Sequence, residues 1–272
     1  MSHIHIPDGV LPAWLWVSGW LLVLGLTAVA GRLAERSDVR RKVPLLAVVS
    51  AMMLVAMSSE IVPLAYHVNL TVIAGVLLGP VLSVIAAFIT EVVLAMLGHG
   101  GVTVLGLNTL MISSEMVLGW VIFRGMVALL SRRHVRLAAG VATMVTLAIT
   151  TTLLVGLVAL AGGGGAAARE TGALDPGTMT FANPLSGGVF RIGLFAGNEA
   201  EADAPVQVDR ESTLSTARFA ALVYTLGPLG WLLEALISAW ILGYVARVRP
   251  GLLWEGGFAT MKRRMHGDEG TH

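Results

Sequence analysis

The sequence predicts an all-α integral membrane protein, a seven-helix transmembrane bundle with its amino terminus outside and its carboxyl terminus in the cytoplasm. Composition is the first reason for this prediction. The 272 residues are 56% hydrophobic and 13% charged, with a mean hydropathy of +0.79, whereas roughly 25% of the residues in a soluble domain are charged. The second reason is that basic residues are clustered between long apolar runs, as expected for cytoplasmic loops and tails.

Five apolar runs account for five of the seven predicted helices. They cover residues 11–30, 43–59, 106–130, 137–161 and 217–245. Most of them are long enough to cross a hydrocarbon core of about 30 Å at about 1.5 Å per residue. The first run has tryptophans near its start and its basic cluster after it, which favours a retained helix over a cleaved signal peptide.

A sixth apolar run, residues 70–97, is interrupted by Gly79-Pro80. Proline removes a backbone donor and glycine permits a sharp turn, so this pair predicts two short helices in a hairpin. The charge rule agrees, because a single crossing would place the basic loop at Arg132, Arg133 and Arg136 outside. Two such short helices predict that at least one tilts, stops early or is shielded by its neighbours.

The remaining segments complete one predicted domain, residues 1–272. Residues 1–10 form a predicted metal-capping segment, residues 162–213 an acidic extracytoplasmic loop, and residues 246–272 a cytoplasmic tail. The acidity of the loop fits either simple solvation or the gathering of cations. The sequence contains no cysteine, which excludes disulfides and thiolate metal sites.

Four glutamates fall in or beside the apolar runs, and ionisable groups at membrane depth indicate function by default. Glu91 and Glu115 are expected to lie deep, whereas Glu60 and Glu234 are expected at the membrane interfaces. No basic residue lies in the run that contains Glu91. Three explanations stay open for these two residues: a protonated carboxyl, a polar cavity, or contact with a partner subunit.

Four of the seven histidines map to the extracytoplasmic side of the predicted topology: His3, His5, His67 and His99. A free α-amine, a following backbone nitrogen and an imidazole form chelate rings that suit Ni(II) or Cu(II) rather than Mg(II) or Ca(II). The alternative is that His3 and His5 are ordinary polar residues near a chain end. The sequence has no HExxH motif and no phosphate-binding loop, so it predicts no ATPase activity of its own.

Three motifs together resemble one family. These are His5-Ile6-Pro7-Asp8-Gly9, His67 before Asn69-Leu70, and the run from His99 to Thr109, HGGVTVLGLNT. They are similar to the CbiM/NikM proteins, the nickel and cobalt capture subunits (S components) of energy-coupling-factor ABC transporters. The resemblance covers roughly residues 3–160, and the run that begins at His99 is its most specific part.

The resemblance implies a set of nitrogen ligands for the metal. In the family the ion is held by the terminal amine, the backbone nitrogen and imidazole of a neighbouring histidine, and a later histidine. The later ligand corresponds to His67. His99 and Asn108 match the supporting loop near the site, where they would orient the ligands.

The amino terminus departs from the family pattern, which often begins Met-His-Ile-Pro-Asp-Gly. By motif, His5 takes the place of the family histidine, but the residue before it has no free amine. If Met1 is removed, the amine of Ser2, the backbone nitrogen and imidazole of His3, and His67 rebuild the set, with His5 as an axial or replacement ligand. If Met1 is retained, Met1, Ser2 and His3 fill the four positions and leave His67 redundant.

The resemblance further implies a binding subunit of the cell (inner) membrane rather than an enzyme, with Ni(II) or Co(II) as transported substrate and no enzymatic cofactor. Its implied partners are a transmembrane coupling (T) subunit, cytoplasmic ATPase subunits and a small accessory membrane subunit, with no nucleic acid. Two other classes are weighed: an ion-gradient-coupled secondary metal transporter and an intramembrane metalloenzyme, both using Glu91 or Glu115. Small residues such as Gly19 and Gly25 would serve either subunit docking or packing within the bundle.

Overall fold

The computed structural model describes residues 13–36, 42–58, 60–61, 66–67, 69–97, 101–160 and 216–254. Within these residues the chain is helical apart from one short two-stranded hairpin and brief connections. The all-α class is therefore confirmed for the described part of the chain. The predicted segments 1–10 and 162–213 lie outside the described residues.

All five predicted apolar runs form helices over their described residues, and every end of these helices lies within three residues of the prediction except the end of the first helix, which is six residues later. In chain order the helices are α1 (Ala13–Arg36), α2 (Val43–Ser58), α3 (Thr71–Leu78), α4 (Pro80–Met96), α5 (Leu105–Leu130), α6 (Val135–Leu160), α7 (Thr216–Val248) and α8 (Pro250–Trp254). Helix α1 continues beyond the apolar run into the basic segment, because Leu, Ala, Glu and Arg are all good helix formers. At the other end of the chain, helical structure continues to Trp254, and Leu253 is buried.

Within the described residues, four helical segments are long and apolar enough to cross a membrane by length and composition: residues 13–35, 105–130, 132–157 and 223–248. Helices α2 and α4 are apolar but have only 16 and 17 residues. Large apolar side chains face outward on several helices, as Leu21 (69% exposed) and Trp240 (70%) do. An apolar surface of this kind suits contact with lipid. The count of seven crossings and the sidedness of the two chain termini stay predictions.

The predicted break at Gly79-Pro80 is confirmed, since α3 ends and α4 begins there. Gly79 has φ 77° and ψ 172°, a backbone conformation that a side chain would strain. Its N–H still donates to the Gly75 carbonyl at 2.8 Å, and its carbonyl accepts from the Ser83 N–H at 3.0 Å. The two helices therefore meet at one residue, with Pro80 in the first turn of α4, where its missing N–H leaves no bond unmade.

Helix α3 is both short and enclosed, which confirms that one helix of the pair stops early and is shielded. Its eight residues span about 12 Å, and seven of them are buried. A Cβ at Gly75 would overlap the carbonyl of Met116, and a Cβ at Gly119 would lie 3.0 Å from the Val72 side chain. Glycine at both positions thus lets the backbones of α3 and α5 approach closely.

Two clusters of side chains mark the two ends of the bundle around α5. At its beginning, Leu15 of α1 packs with Val104 and Leu107 and with side chains near the end of α6. At its other end, Phe123 and Leu253 belong to a second cluster that also contains Ile73 and Val76 of α3. Helix α3 therefore runs toward the second end, where α8 packs.

Candidate metal centre

The chain between α2 and α3 contains a short antiparallel hairpin. Strands β1 (Glu60–Ile61) and β2 (Tyr66–His67) pair in the register Glu60 opposite His67 and Ile61 opposite Tyr66. The polar connection predicted here therefore has ordered backbone at the predicted ligand His67. Pairing fixes the backbone of His67 relative to the chain that leaves α2.

Directly after the hairpin, Asn69 is held through three of its groups. Its side-chain Nδ2 donates to Glu115 Oε1 at 2.5 Å, and its backbone N–H donates to Glu234 Oε1 at 3.3 Å. Its Oδ1 accepts from the backbone N–H of Thr71 at 3.1 Å. Asn69 is buried, so these bonds replace the water that its amide loses. The chain that enters α3 is consequently tied to α5 and α7.

Glu115 is the acceptor at the centre of this network. Its Oε1 also accepts from the Thr71 hydroxyl, and its Oε2 accepts from the Thr150 hydroxyl at 3.2 Å. Because the side chain is fully buried, three donors supply the solvation that a carboxylate needs away from water. We name this set of residues the Asn69 clamp: Asn69, Thr71, Glu115, Thr150 and Glu234.

The clamp lies well inside the bundle rather than at its surface. Glu115 is ten residues from the start of α5, and Thr150 is ten residues from the end of α6. Each residue therefore lies about 15 Å along its helix from that terminus, at about 1.5 Å per residue. Asn69 contacts Glu115 directly, so the chain leaving the hairpin has reached the same depth. The Cα of His67, two residues earlier, lies within about 7 Å of the Cα of Asn69 by the reach of the backbone.

The structure divides the four predicted glutamates differently from the sequence. Glu91 and Glu115 are buried, as expected. The prediction that Glu234 lies at an interface is wrong, because it is 1% exposed in the middle of α7 and contacts Asn69. Glu60 belongs to β1. Of the explanations left open for Glu115, none named the hydroxyl and amide donors that surround it.

Sequence reasoning missed the donors Asn69, Thr71 and Thr150. Asparagine and threonine are frequent residues, and Thr150 lies 35 positions from Glu115 along the chain. One signal was available: Asn69 and Thr71 follow a predicted metal ligand and precede a run of apolar residues. Polar residues at the start of an otherwise buried helix need partners, and the deep glutamates are the acceptors that could satisfy them.

The predicted ligands divide into those that the structure describes and those that it does not. Ser2, His3, His5 and His99 lie outside the described residues. His67 is described as a strand residue. Asn108 belongs to the first turn of α5 rather than to a loop; it is buried, and its N–H donates to the Val104 carbonyl at 3.0 Å. Among the described residues, no group of three or more histidine, cysteine or acidic side chains could by itself hold a metal ion.

A tight seam joins the start of α1 to the start of α5. The indole Nε1 of Trp20 donates to the Thr103 carbonyl at 2.9 Å. A Cβ on Gly106 would lie 2.6 Å from the backbone of Gly19, so the two helices touch through glycine. Gly19 therefore serves packing within the bundle, whereas Gly25 faces open space. The seam therefore places the first turns of α1 beside the last residues of the connection between α4 and α5.

Fold and site together define a class of protein: a multi-pass helical membrane protein whose buried polar groups hold the chain that enters α3 directly after a short hairpin. The chain belongs to the CbiM family, described as the cobalt uptake substrate-specific transmembrane region, whose sequence profile matches residues 5–252. The family resemblance drawn from the sequence is thereby confirmed. Membership makes the chain a transmembrane component of metal uptake.

Two relatives agree with this assignment. The cobalt transport protein CbiM of Clostridium tetani is 28% identical over 159 residues, which is 56% of this chain and 66% of that protein. A relative from Halobacterium salinarum that also carries the CbiM name is 31% identical over 175 residues, or 59% of this chain and 76% of that protein.

The solved structures share the fold. A crystal structure of a truncated transition metal transporter superimposes with a TM-score of 0.59 and 20% identity, covering 89% of this chain and 98% of that one. A crystal structure of a transition metal transporter gives 0.57 and 20%, covering 97% and 100%. Both are similar to this chain over nearly their whole length.

Proposed function

We propose that the chain is the substrate-capture (S) component of an energy-coupling-factor transporter, binding Ni(II) or Co(II) from outside the cell for ATP-driven import. The observation that carries the proposal is the placement of His67. Its strand is paired with β1 on one side and is followed by the Asn69 clamp on the other. A histidine whose backbone is held on both sides along the chain suits a ligand that must meet nitrogen donors from another segment.

The proposed ligand set is the amine of Ser2, the backbone nitrogen and imidazole of His3, and His67, with His5 as an axial or replacement ligand. In a chain that retains Met1, the alternative is that Met1, Ser2 and His3 fill the four positions and His67 is redundant. The seam at Trp20 supports this arrangement, because it holds the start of α1 against the start of α5. His99 and Asn108 are proposed to support the ligands from the α4–α5 connection.

Nickel and cobalt are both proposed substrates. Four nitrogen donors suit Ni(II) better than Co(II) by intrinsic affinity, whereas the family description and the clostridial relative name cobalt. The chain itself carries no phosphate-binding loop in its sequence. A T subunit and cytoplasmic ATPases in the inner membrane are therefore the proposed source of energy, with seven crossings and an outside amino terminus for this chain.

Metal binding to the purified protein tests the proposal. We expect about one Ni(II) or Co(II) per chain, lost in His67→Ala and in a protein with a blocking tag fused ahead of Met1. The matched control is His134→Ala, because His134 lies at the opposite end of α5, where its ring Nδ1 is 2.8 Å from the Leu130 carbonyl. Unchanged binding with the tag would remove the amine from the site, and unchanged binding in His67→Ala would overturn the proposal.

Transport separates this proposal from a secondary transporter. In vesicles that contain the chain alone, we expect no accumulation of Co(II) under a proton gradient. Accumulation should require the T subunit, the ATPases and ATP. Uptake that persists without the ATPases and collapses with the gradient would favour the secondary transporter and a transport role for Glu91 or Glu115.

A further inference from the structure

The Asn69 clamp has a geometry that goes beyond filling the bundle interior. Two carboxylates from different helices, Glu115 of α5 and Glu234 of α7, both accept from the same residue. One takes the side-chain amide and the other takes the backbone N–H. A residue held through both its side chain and its backbone has little freedom to translate or to rotate.

We propose that Glu115 is a positioning residue for metal capture, acting through Asn69 to fix the backbone that carries the proposed ligand His67. The proposal rests on the proposed function, since it assigns His67 to the metal. The pairing with β1 holds the backbone at His67, and the clamp holds the chain at Asn69. In the sequence only Val68 separates these two residues. A metal–nitrogen bond tolerates displacements of about 0.5 Å at most, so a ligand on a short connection needs such an anchor.

The atoms of the clamp explain why a carboxylate is required at position 115. The side-chain amide of Asn69 and the hydroxyl of Thr71 both donate to Oε1, and the hydroxyl of Thr150 donates to Oε2. Three donors thus converge on one side chain that contributes acceptors. A leucine of similar size offers no acceptor, so the side-chain Nδ2 of Asn69 would lose its bond to position 115.

Glutamine at position 115 separates positioning from charge. Its carbonyl oxygen still accepts from Asn69 and Thr71, while its amide group donates to the Thr150 hydroxyl, whose single proton is then directed to the Thr146 carbonyl 3.1 Å away. The hydrogen bonds that hold Asn69 therefore survive without the negative charge. A role in positioning predicts rescue by Glu115→Gln, whereas a role as proton carrier or metal ligand predicts failure.

The experiment measures the affinity and the visible absorption spectrum of Co(II) bound to the purified full chain, because the spectrum reports ligand geometry. We expect Glu115→Leu and Asn69→Ala to bind about 10- to 100-fold more weakly with a changed spectrum. Glu115→Gln should stay close to the unaltered chain in both measurements. Thr150→Val is a milder variant that removes one donor and should weaken binding in the same direction.

Matched controls exclude a general loss of structure. Glu91→Leu removes another fully buried glutamate from α4, and Thr143→Val removes another buried threonine from α6 whose hydroxyl donates to the Ala139 carbonyl. Neither should change the cobalt spectrum. The positioning role would be overturned if Glu115→Leu and Asn69→Ala both kept the cobalt affinity and spectrum of the unaltered chain. It would also be overturned if Glu115→Gln bound Co(II) as weakly as Glu115→Leu does.

The failure of this inference differs from failure of the proposed function. An unaltered chain that binds neither Co(II) nor Ni(II) would overturn the proposed function itself. An unaltered chain that binds Co(II) through His67, with affinity and spectrum unaffected by Asn69→Ala, would overturn the positioning role alone.

Discussion

Two polar clusters include residues of α5, and they hold their polar side chains in different ways. The Asn69 clamp surrounds Glu115 with hydrogen-bond donors. Near the other end of α5, Arg124 and Arg132 lie over the ring of Trp254 at 5.9 Å and 4.6 Å from its centroid, and Arg124 also lies 5.6 Å from the ring of Trp120. We name this second set the arginine–tryptophan cluster.

The difference between the clusters follows from the directionality of their contacts. Hydrogen bonds require a donor to point at an acceptor, so the clamp fixes the positions of particular atoms. An arginine over an aromatic face is attracted to the ring as a whole and can slide across it. The comparison teaches that the Asn69 clamp suits the precise placement of a ligand. The arginine–tryptophan cluster instead suits the docking of α8 against the arginines Arg124 and Arg132.

The largest expected effect tests the contact on which the clamp depends. Gly75→Ala places a Cβ against the Met116 carbonyl, and a backbone atom cannot move aside as a side chain can. We expect the free energy of unfolding to fall by at least about 3 kcal/mol, measured by denaturant titration in detergent. Gly125→Ala is the matched control, because a Cβ there meets nothing within 4 Å. An equal loss in both variants would contradict the close approach of α3 and α5.

A smaller effect is expected from one donor of the clamp. Thr71→Val keeps the shape of the side chain but removes the hydroxyl that donates to Glu115. We expect a loss of about 1.5–3 kcal/mol in the free energy of unfolding, as for other hydrogen bonds to charged groups. Thr225→Val, at an exposed threonine that bonds only its own helix, should change stability little. The clamp would not be a stabilising network if the two variants behaved alike.

The smallest effect is expected at the arginine–tryptophan cluster. Trp254→Leu keeps an apolar side chain but removes the ring beneath both guanidinium groups. A loss of about 1 kcal/mol is expected, since each such contact contributes little near water. Trp240→Leu serves as the comparison, because that ring is exposed on α7. A loss larger than that of Thr71→Val would reverse the order proposed for the two clusters.

Most helix positions could be predicted because a membrane imposes length and polarity on a helix that crosses it. The ends of α2, α5 and α6 agree with the apolar runs to within two residues. The break at Gly79-Pro80 was predictable for a local reason, namely the conformation of glycine and the missing donor of proline. The hairpin of β1 and β2 was not predicted, because strands of two residues carry no periodicity.

The candidate site was predictable only in part. His67 was singled out because its motif resembles those of a family; family membership is confirmed, and the role of His67 as a ligand stays a prediction. The other predicted ligands stay predictions, since Ser2, His3, His5 and His99 lie outside the described residues. Glu234 was misplaced because a glutamate within an apolar run looks alike whether its neighbours are lipid, water or protein.

The sequence by itself determined where the helices form, since hydrophobic run length and local backbone chemistry are properties of neighbouring residues. Tertiary structure alone decided which polar groups meet. Asn69 and Glu234 are 165 positions apart, and Glu115 meets Thr150 from another helix. Nothing in the spacing of these residues says which helix faces turn toward one another. Packing decides it, because a buried carboxylate is stable only where the folded chain brings donors to it.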